Sequence, residues 1–386
     1  MREIVFISRK ISDIGGIPGQ MFRLAENLYE RRVFRPVLVC PDRNCGFAGL
    51  FIEAGFEVFD VPMEKTEISS TAKKIIHILE NRDVAVIQSH LFRESLIARA
   101  VRKRRPDIRH VFRAQTYIDG SSIPRWQKNL HHILDKITSR WVDCYVVNGQ
   151  YLADEIVNRS KVNPNKVIAL LNGRNQIGPP DKPCDKPNEP LPARIAMVAN
   201  FRPVKGHDCL IKALALLKKR NLPITARLIG GESAGNVSDK RNQNTKSAIR
   251  KLSEELGVSE QVEFYGSTKD VFGAIEEIPV VVLPANSEEG VPNCLLEAMS
   301  VRKLVIASKM NGVGEIIKHG KTGLLHKPKD FIALAEILEK IFTTPAEKWE
   351  QMRNQALQIW QEKFTLDKMT DKLVNIYREL GLINHD

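Results

Sequence analysis

The feature that most restricts this fold is an alternation that runs, stops and starts again. Short apolar runs at 4–8, 37–40, 57–61, 84–89, 109–113, 144–148 and 167–171 are separated by longer stretches, most with helical periodicity. Strands alternating with helices argue for a parallel sheet with helices on its faces. The stretch 178–192, GPPDKPCDKPNEPLP, then holds six prolines and almost no large apolar residue. Proline breaks helices and cannot donate to a ladder, so this segment reads as a linker. The alternation resumes with strands expected at 194–199, 225–229, 262–265, 280–283 and 304–307, and from about Phe331 the pattern is helical nearly to the end. A chain of 386 residues is too long for one ordinary core. The division expected is a first α/β domain over 1–177, the linker over 178–192, a second α/β domain over 193–360, and a C-terminal helix over 361–386 with a return to the first domain as one placement. Ligands of open α/β sheets sit beyond the carboxyl ends of the strands, so functional motifs are expected in loops that follow strands.

The most informative loop lies in VVVLPANSEEGVPNCLLEAMS, residues 280–300. An apolar strand ends at Leu283, a polar loop carries Ser287, Glu288, Glu289 and Gly290, and a helix begins near Asn293, a residue suited to an N-cap. A strand, a glycine-containing loop and a helix N-terminus make an anion site, because free amides and the positive end of the helix favour phosphate. Gly290 allows close backbone approach. Glu297 lies about one turn into the helix, among Leu295, Leu296 and Met299, an unusual setting for a solvated carboxylate. A carboxylate there can accept from two hydroxyls, as in a ribose diol. Taken as an isolated pair, Glu289 and Glu297 read more simply as an exposed loop residue and a solvated helix residue. In MVANFRPVKGHDCLIKAL, 197–214, Arg202 and Lys205 stand in the loop after a strand, and Gly206 precedes a helix. Two fixed cations there suit a diphosphate and stabilise it as a leaving group, although in a basic chain such a pair alone reads as surface charge.

EGVPNCLLEAM resembles the signature of the large family of retaining glycosyltransferases of family four (glycosyl transferases group 1). The resemblance implies a GT-B fold, two Rossmann-like α/β domains facing each other across a cleft, with the donor held by the C-terminal half. It implies that Glu289 contacts the donor sugar and Glu297 the nucleotide ribose, with Gly290, Val291 and Asn293 beside the donor. Arg202 and Lys205 match the family's Arg-x-x-Lys-Gly phosphate clamp, and Gly230 with Gly231 in LIGGES match its glycine turn. Gly15 and Gly16 in SDIGG resemble the paired glycine beside the phosphates and reacting centre; His90, closing AVIQSHLF, resembles a histidine facing the cleft. Asn172 and Gly173, with Arg174, resemble an Asn-Gly turn before the hinge and read as structural. NGVGEII and HGKTGLL also resemble family segments whose job is fold geometry. Two departures stand out: Gly290 follows Glu289 directly where an aromatic is common, and VFRAQTYIDG lacks a terminal histidine, with Arg113, Gln115, Thr116 and Asp119 there instead. The implied reaction moves a sugar from a nucleoside diphosphate sugar to an acceptor hydroxyl with retention, without a cofactor. The implied setting is cell-surface polysaccharide, lipopolysaccharide or glycolipid synthesis, with a saccharide or lipid-linked acceptor. No DxD, HxH or HxxxH pattern occurs, so no metal is expected.

The net charge of +12 favours an anionic partner: phosphorylated substrates, an anionic membrane face or nucleic acid. No recognised nucleic-acid motif accompanies it. No apolar run approaches the roughly 20 residues that cross a bilayer, and MREIVFISRK reads as a first strand. The six cysteines form no CxxC pair and read as reduced thiols. A cytoplasmic protein is expected, with peripheral contact at the inner membrane face as an extension. In RWQKNLHHILDKITSRW, 125–141, Trp126, Leu130, Ile133, Leu134 and Ile137 recur at helical spacing, which is expected to pack on the sheet, with membrane contact as the alternative. The rival functions are a same-fold nucleotide-sugar epimerase, a non-catalytic nucleotide-sugar binder and a basic nucleic-acid module.

Overall fold

The computed structural model describes residues 1–9, 16–63, 67–115, 124–182, 186–232, 245–287 and 290–383. The chain forms two compact units, one of Met1–Gly173 with Leu366–Asp386 and one of Arg174–Thr365.

The first unit holds a seven-stranded parallel sheet: β1 (Glu3–Ile7), β2 (Arg35–Cys40), β3 (Glu57–Asp60), β4 (Val84–Ser89), β5 (Arg109–Ala114), β6 (Cys144–Val147) and β7 (Val167–Ala169), in the order β3-β2-β1-β4-β5-β6-β7. Every residue of β1 and β4 is buried. Strands covered on both faces read as continuous apolar runs rather than as alternation, which is why these segments stand out in the sequence. The second unit holds six parallel strands: β8 (Arg194–Val198), β9 (Thr225–Ile229), β10 (Val262–Gly266), β11 (Val280–Leu283), β12 (Leu304–Ser308) and β13 (Leu324–His326), in the order β10-β9-β8-β11-β12-β13. Both sheets are doubly wound and Rossmann-like. Each order reverses once, between β1 and β4 and between β8 and β11. Loops leaving such a pair run to opposite faces of the sheet and leave a crevice at the carboxyl ends of the strands.

The C-terminal helix Leu366–Glu379 belongs to the first unit. Its Leu366, Met369, Leu373 and Tyr377 join the core around Phe6, Phe34 and Leu38. The Tyr377 ring meets Phe34 edge-on at 5.3 Å, and its hydroxyl donates to Gln88 Oε1 at 2.5 Å. Arg31 ties the helix from outside through Asp367 (2.6 Å) and Asp371 (2.5 Å). Each large apolar side chain buried here contributes about 1.5–3 kcal/mol.

Much of the proline-rich stretch is pinned to the second unit. Asp181 accepts from Lys303 Nζ and Arg353 Nη2, both at 2.7 Å, and its carbonyl accepts from Arg302 Nη1 at 2.9 Å. Further on, the Ala346 amide donates to the Glu189 carbonyl and the Glu347 amide to the Pro187 carbonyl.

Candidate functional site

In the second unit the loops after β8, β9 and β11 are drawn together by their backbones. The amides of Ala199 and Phe201 donate to the carbonyls of Ile229 and Gly231, both at 2.9 Å, and the Gly231 amide donates to Asn200 Oδ1 at 3.2 Å. Two glycines make this approach possible. A Cβ on Gly230, which has φ +154°, would lie 2.2 Å from the Ala199 carbonyl oxygen, and one on Gly206, with φ +78°, only 1.7 Å from that of Pro284. The β11 loop is clasped to the β8 loop as well: the Asn286 amide donates to the Val204 carbonyl (2.8 Å), and Asn286 Nδ2 donates to the Pro203 carbonyl (3.2 Å) and to Asp208 Oδ1 (2.8 Å).

This frame carries the cations. Arg202 is exposed and Lys205 half-buried, joined by the short turn Pro203–Lys205. The helix His207–Lys219 starts immediately after them. Its cap residue is Gly206, which has no side chain to satisfy the first-turn amides, so these donors and the positive end of the helix add to the two cations. His207 is buried against Phe201, ring centroids 4.5 Å apart, and burial pushes its pKa down to about 4, so it adds no charge at neutral pH.

The second motif follows β11. The helix Asn293–Ser300 is capped by Pro292, not by Asn293 as the sequence suggested. Pro292, with φ −75° and ψ 118°, ends the extended approach, and Asn293 is already the first helical residue. Val291 is buried and Gly290 half-buried. Glu297 lies on the inner face of this helix, 9% exposed, and pairs with Arg174, whose Nη2 lies 2.6 Å from Glu297 Oε1. Sequence reading treated Arg174 as part of a structural turn and missed this contact. The only available signal was an arginine directly after Asn-Gly. Glu289 lies outside the described residues.

In the first unit Gly16, at φ +61°, opens the helix Gly16–Glu30, while Gly15 falls outside the described residues. His90 follows β4 and is 1% exposed, inside the unit. Gln88 Nε2 lies 2.9 Å from the His90 Nε2. The ring's Nδ1 meets no hydrogen-bond partner among the described residues. Burial, with Arg113 adding to it, holds the His90 pKa well below the ordinary value. His90 is therefore neutral at physiological pH. Arg113 is buried beside Asn172 Oδ1 (3.4 Å) and Met369 Sδ (2.7 Å), and burial lowers its pKa to about 10. Gln115 Oε1 accepts from Asn172 Nδ2 at 3.0 Å. Thr116 and Asp119 lie outside the described residues.

Two family models match the chain: Glycosyltransferase Family 4 over residues 14–175 and Glycosyl transferases group 1 over 185–358. Among curated relatives, the α-D-kanosaminyltransferase of Streptomyces kanamyceticus is 28% identical over 49% of this chain and 46% of its own length, so the match spans about half of each. The D-inositol 3-phosphate glycosyltransferase of Rhodococcus jostii is 25% identical over 63% of this chain and 54% of its own. The putative glycosyltransferase EpsD of Bacillus subtilis is 22% identical over 82% and 84%. Among solved structures, Anabaena HepE in complex with UDP and glucose shares the fold with a TM-score of 0.81 at 16% identity, covering 98% of this chain and 100% of that one. The Rickettsia africae glycosyltransferase gives 0.79 at 16% identity over 98% of both.

Proposed function

The chain belongs to the GT-B glycosyltransferases of group 1, and from that premise we propose that it transfers a sugar from a nucleoside diphosphate sugar to an acceptor hydroxyl, retaining the anomeric configuration and using no metal. The observation that carries the reading is the convergence of Arg202, Lys205, Gly206, Gly230 and the β11 loop at the carboxyl ends of β8, β9 and β11, around the point where strand order reverses. Arg202 and Lys205, with the positive end of the helix behind them, take the charge that develops on the departing diphosphate. Glu297 accepts from the ribose, Glu289 orients the sugar, and Gly290, Val291 and Asn293 line the donor. The family resemblance assigns Gly15 and Gly16 to the donor phosphates as well. His90 enters this reading through the family resemblance, as a neutral imidazole. The acceptor oxygen forms its bond to the anomeric carbon as the bond to the diphosphate breaks, and the hydroxyl proton leaves with the diphosphate. Uridine is the base to try first, since HepE was crystallised with UDP and with UDP-glucose. The test is turnover of UDP-, GDP- and ADP-sugars with saccharide and lipid-linked acceptors in excess chelator, reading product stereochemistry by NMR. Retained stereochemistry and indifference to chelator support the proposal. An inverted product, chelator sensitivity, or sugar conversion without an acceptor contradicts it.

A membrane-linked acceptor, in cell-surface polysaccharide, lipopolysaccharide or glycolipid synthesis, is favoured by one helix. Arg125–Thr138 turns most of its apolar stripe outward, with Trp126 65%, Leu130 47%, Ile133 55% and Ile137 56% exposed and Leu134 half-buried. The expectation that this stripe packs on the sheet is overturned, because the inward anchors are polar. Asp135 pairs with Arg99 at 2.5 Å and accepts from Tyr145 at 3.0 Å, while His132 bonds Ser160 Oγ at 2.9 Å. Arg125, Lys128, Lys136 and Arg140 flank the stripe, a charge pattern that suits an anionic lipid face. Among the described residues no helix is long and apolar enough to cross a membrane. Sedimentation with phosphatidylglycerol vesicles tests this: binding is lost in an Ile133→Asp/Ile137→Asp variant and weakened by salt. Equal binding to neutral vesicles, or self-association through the stripe without lipid binding, sinks it.

A further inference from the structure

Arg174 occupies an unusual place. It is the first residue of the second unit, and Thr365, to which it is bridged, is the last. Its amide donates to the Phe364 carbonyl at 2.8 Å. Its backbone is thus fixed where the two ends of the unit run side by side, and its side chain reaches inward to Glu297. The pair is closely held, with side-chain exposures of 7% for Arg174 and 12% for Glu297. The guanidinium holds Oε1, while Oε2 takes no hydrogen bond from any described residue. A carboxylate gripped on one oxygen and open on the other is set in one rotamer with capacity left to accept. Oε1 also keeps a second lone pair, so two hydroxyls can still be served.

We propose that Arg174 is a positioning residue for the nucleotide: it fixes the Glu297 carboxylate in the orientation that accepts from the ribose 2′- and 3′-hydroxyls. This rests on the reading of Glu297 as the ribose carboxylate. The role proposed for Arg174 is exerted through Glu297. Its effect therefore depends on the ligand having those hydroxyls, a dependence that general loosening of the unit would not produce.

The experiment is calorimetric titration with UDP and 2′,3′-dideoxy-UDP, or with the corresponding GDP or ADP pair if the native chain binds that base more tightly. The native protein favours the ribonucleotide by roughly tenfold or more, the scale of one or two charge-assisted hydrogen bonds. Arg174→Met lowers affinity for the ribonucleotide about tenfold and leaves the dideoxy ligand unchanged, and Arg174→Lys restores part of the loss. Equal weakening of both ligands, or tighter binding of the ribonucleotide, overturns the proposal. Arg174→Met leaves a carboxylate buried alone, which threatens folding. The double variant Arg174→Met/Glu297→Gln removes both charges and should bind the ribonucleotide as Glu297→Gln alone does; any further loss overturns the proposal. Glu297→Gln also separates the two layers. If it still discriminates between the ligands as the native chain does, the ribose reading itself is wrong. Failure of all three nucleotides to bind sinks both.

Discussion

The two sheets are wound alike yet handle buried charge in opposite ways. In the second unit Arg302, Lys303 and Arg353 are almost fully buried, and they meet the acids Asp181 and Glu350 in one network. In the first unit, Arg99 with Asp135 excepted, the buried basic groups rest largely on neutral partners. His90 bonds Gln88, His110 lies between Ser89 Oγ (2.9 Å) and the Trp141 carbonyl (3.2 Å), and Arg113 sits on Asn172 and Met369. One unit relies on paired charges, and the other relies on keeping its histidines uncharged. They should therefore fail under different insults.

The largest expected effect is in the second unit. Asp181→Asn leaves Arg302 and Arg353 sharing Glu350 and takes from Lys303 its ion-pair partner, and should cost about 3–5 kcal/mol. Hydrogen exchange followed by mass spectrometry should show the loss confined to the second unit; equal loosening of both units breaks the comparison. Acid provides the converse. Burial lowers the His110 pKa to about 3 and holds that of His90 well below its usual value. A histidine whose folded pKa is depressed contributes stability that is present above its unfolded pKa of about 6.5 and lost as pH falls toward the folded value. In the second unit His207, at about 4, and His326, also lowered by burial, act in the same direction. Between about pH 6.5 and 4 the first unit should lose more stability than the second, because its histidines are depressed further, read by the same exchange experiment. If the second unit opens first, its ion network is weaker than drawn here. The smallest effect concerns the outward stripe: Ile133→Asp should change stability by only about 0.5 kcal/mol or less, because the side chain is 55% exposed. A cost of several kcal/mol in denaturant melts would mean that the stripe is covered in solution.

What was legible in the sequence follows the same physics. Strands buried along their whole length are largely apolar, so β1, β4, β6, β11 and β12 stand out, whereas β13 hides in HGKTGLL, where only its first two residues, Leu324 and Leu325, are apolar. The helical tail ran together by eye; Pro345 and Thr365 mark the gaps around the helix Glu347–Lys363. Arg202, Lys205 and Glu297 were visible because a loop after a strand, with glycine beside it, is a local signature. The Arg174–Glu297 pair spans 123 positions and leaves no local mark. Helical spacing revealed the 125–138 stripe but not its direction, which Asp135 and His132 set by finding Arg99, Tyr145 and Ser160 in the fold.

The central claim is that the second unit holds the donor through the β8 and β11 loops. Titration of UDP, GDP and ADP against the native chain, Arg202→Ala and Lys205→Ala tests it most directly, with Ile133→Asp as a control on the first unit. The account predicts that one nucleotide binds, that either loss of charge weakens it about 10- to 100-fold, and that the control binds like the native chain. Undiminished binding in both Arg202→Ala and Lys205→Ala would contradict it.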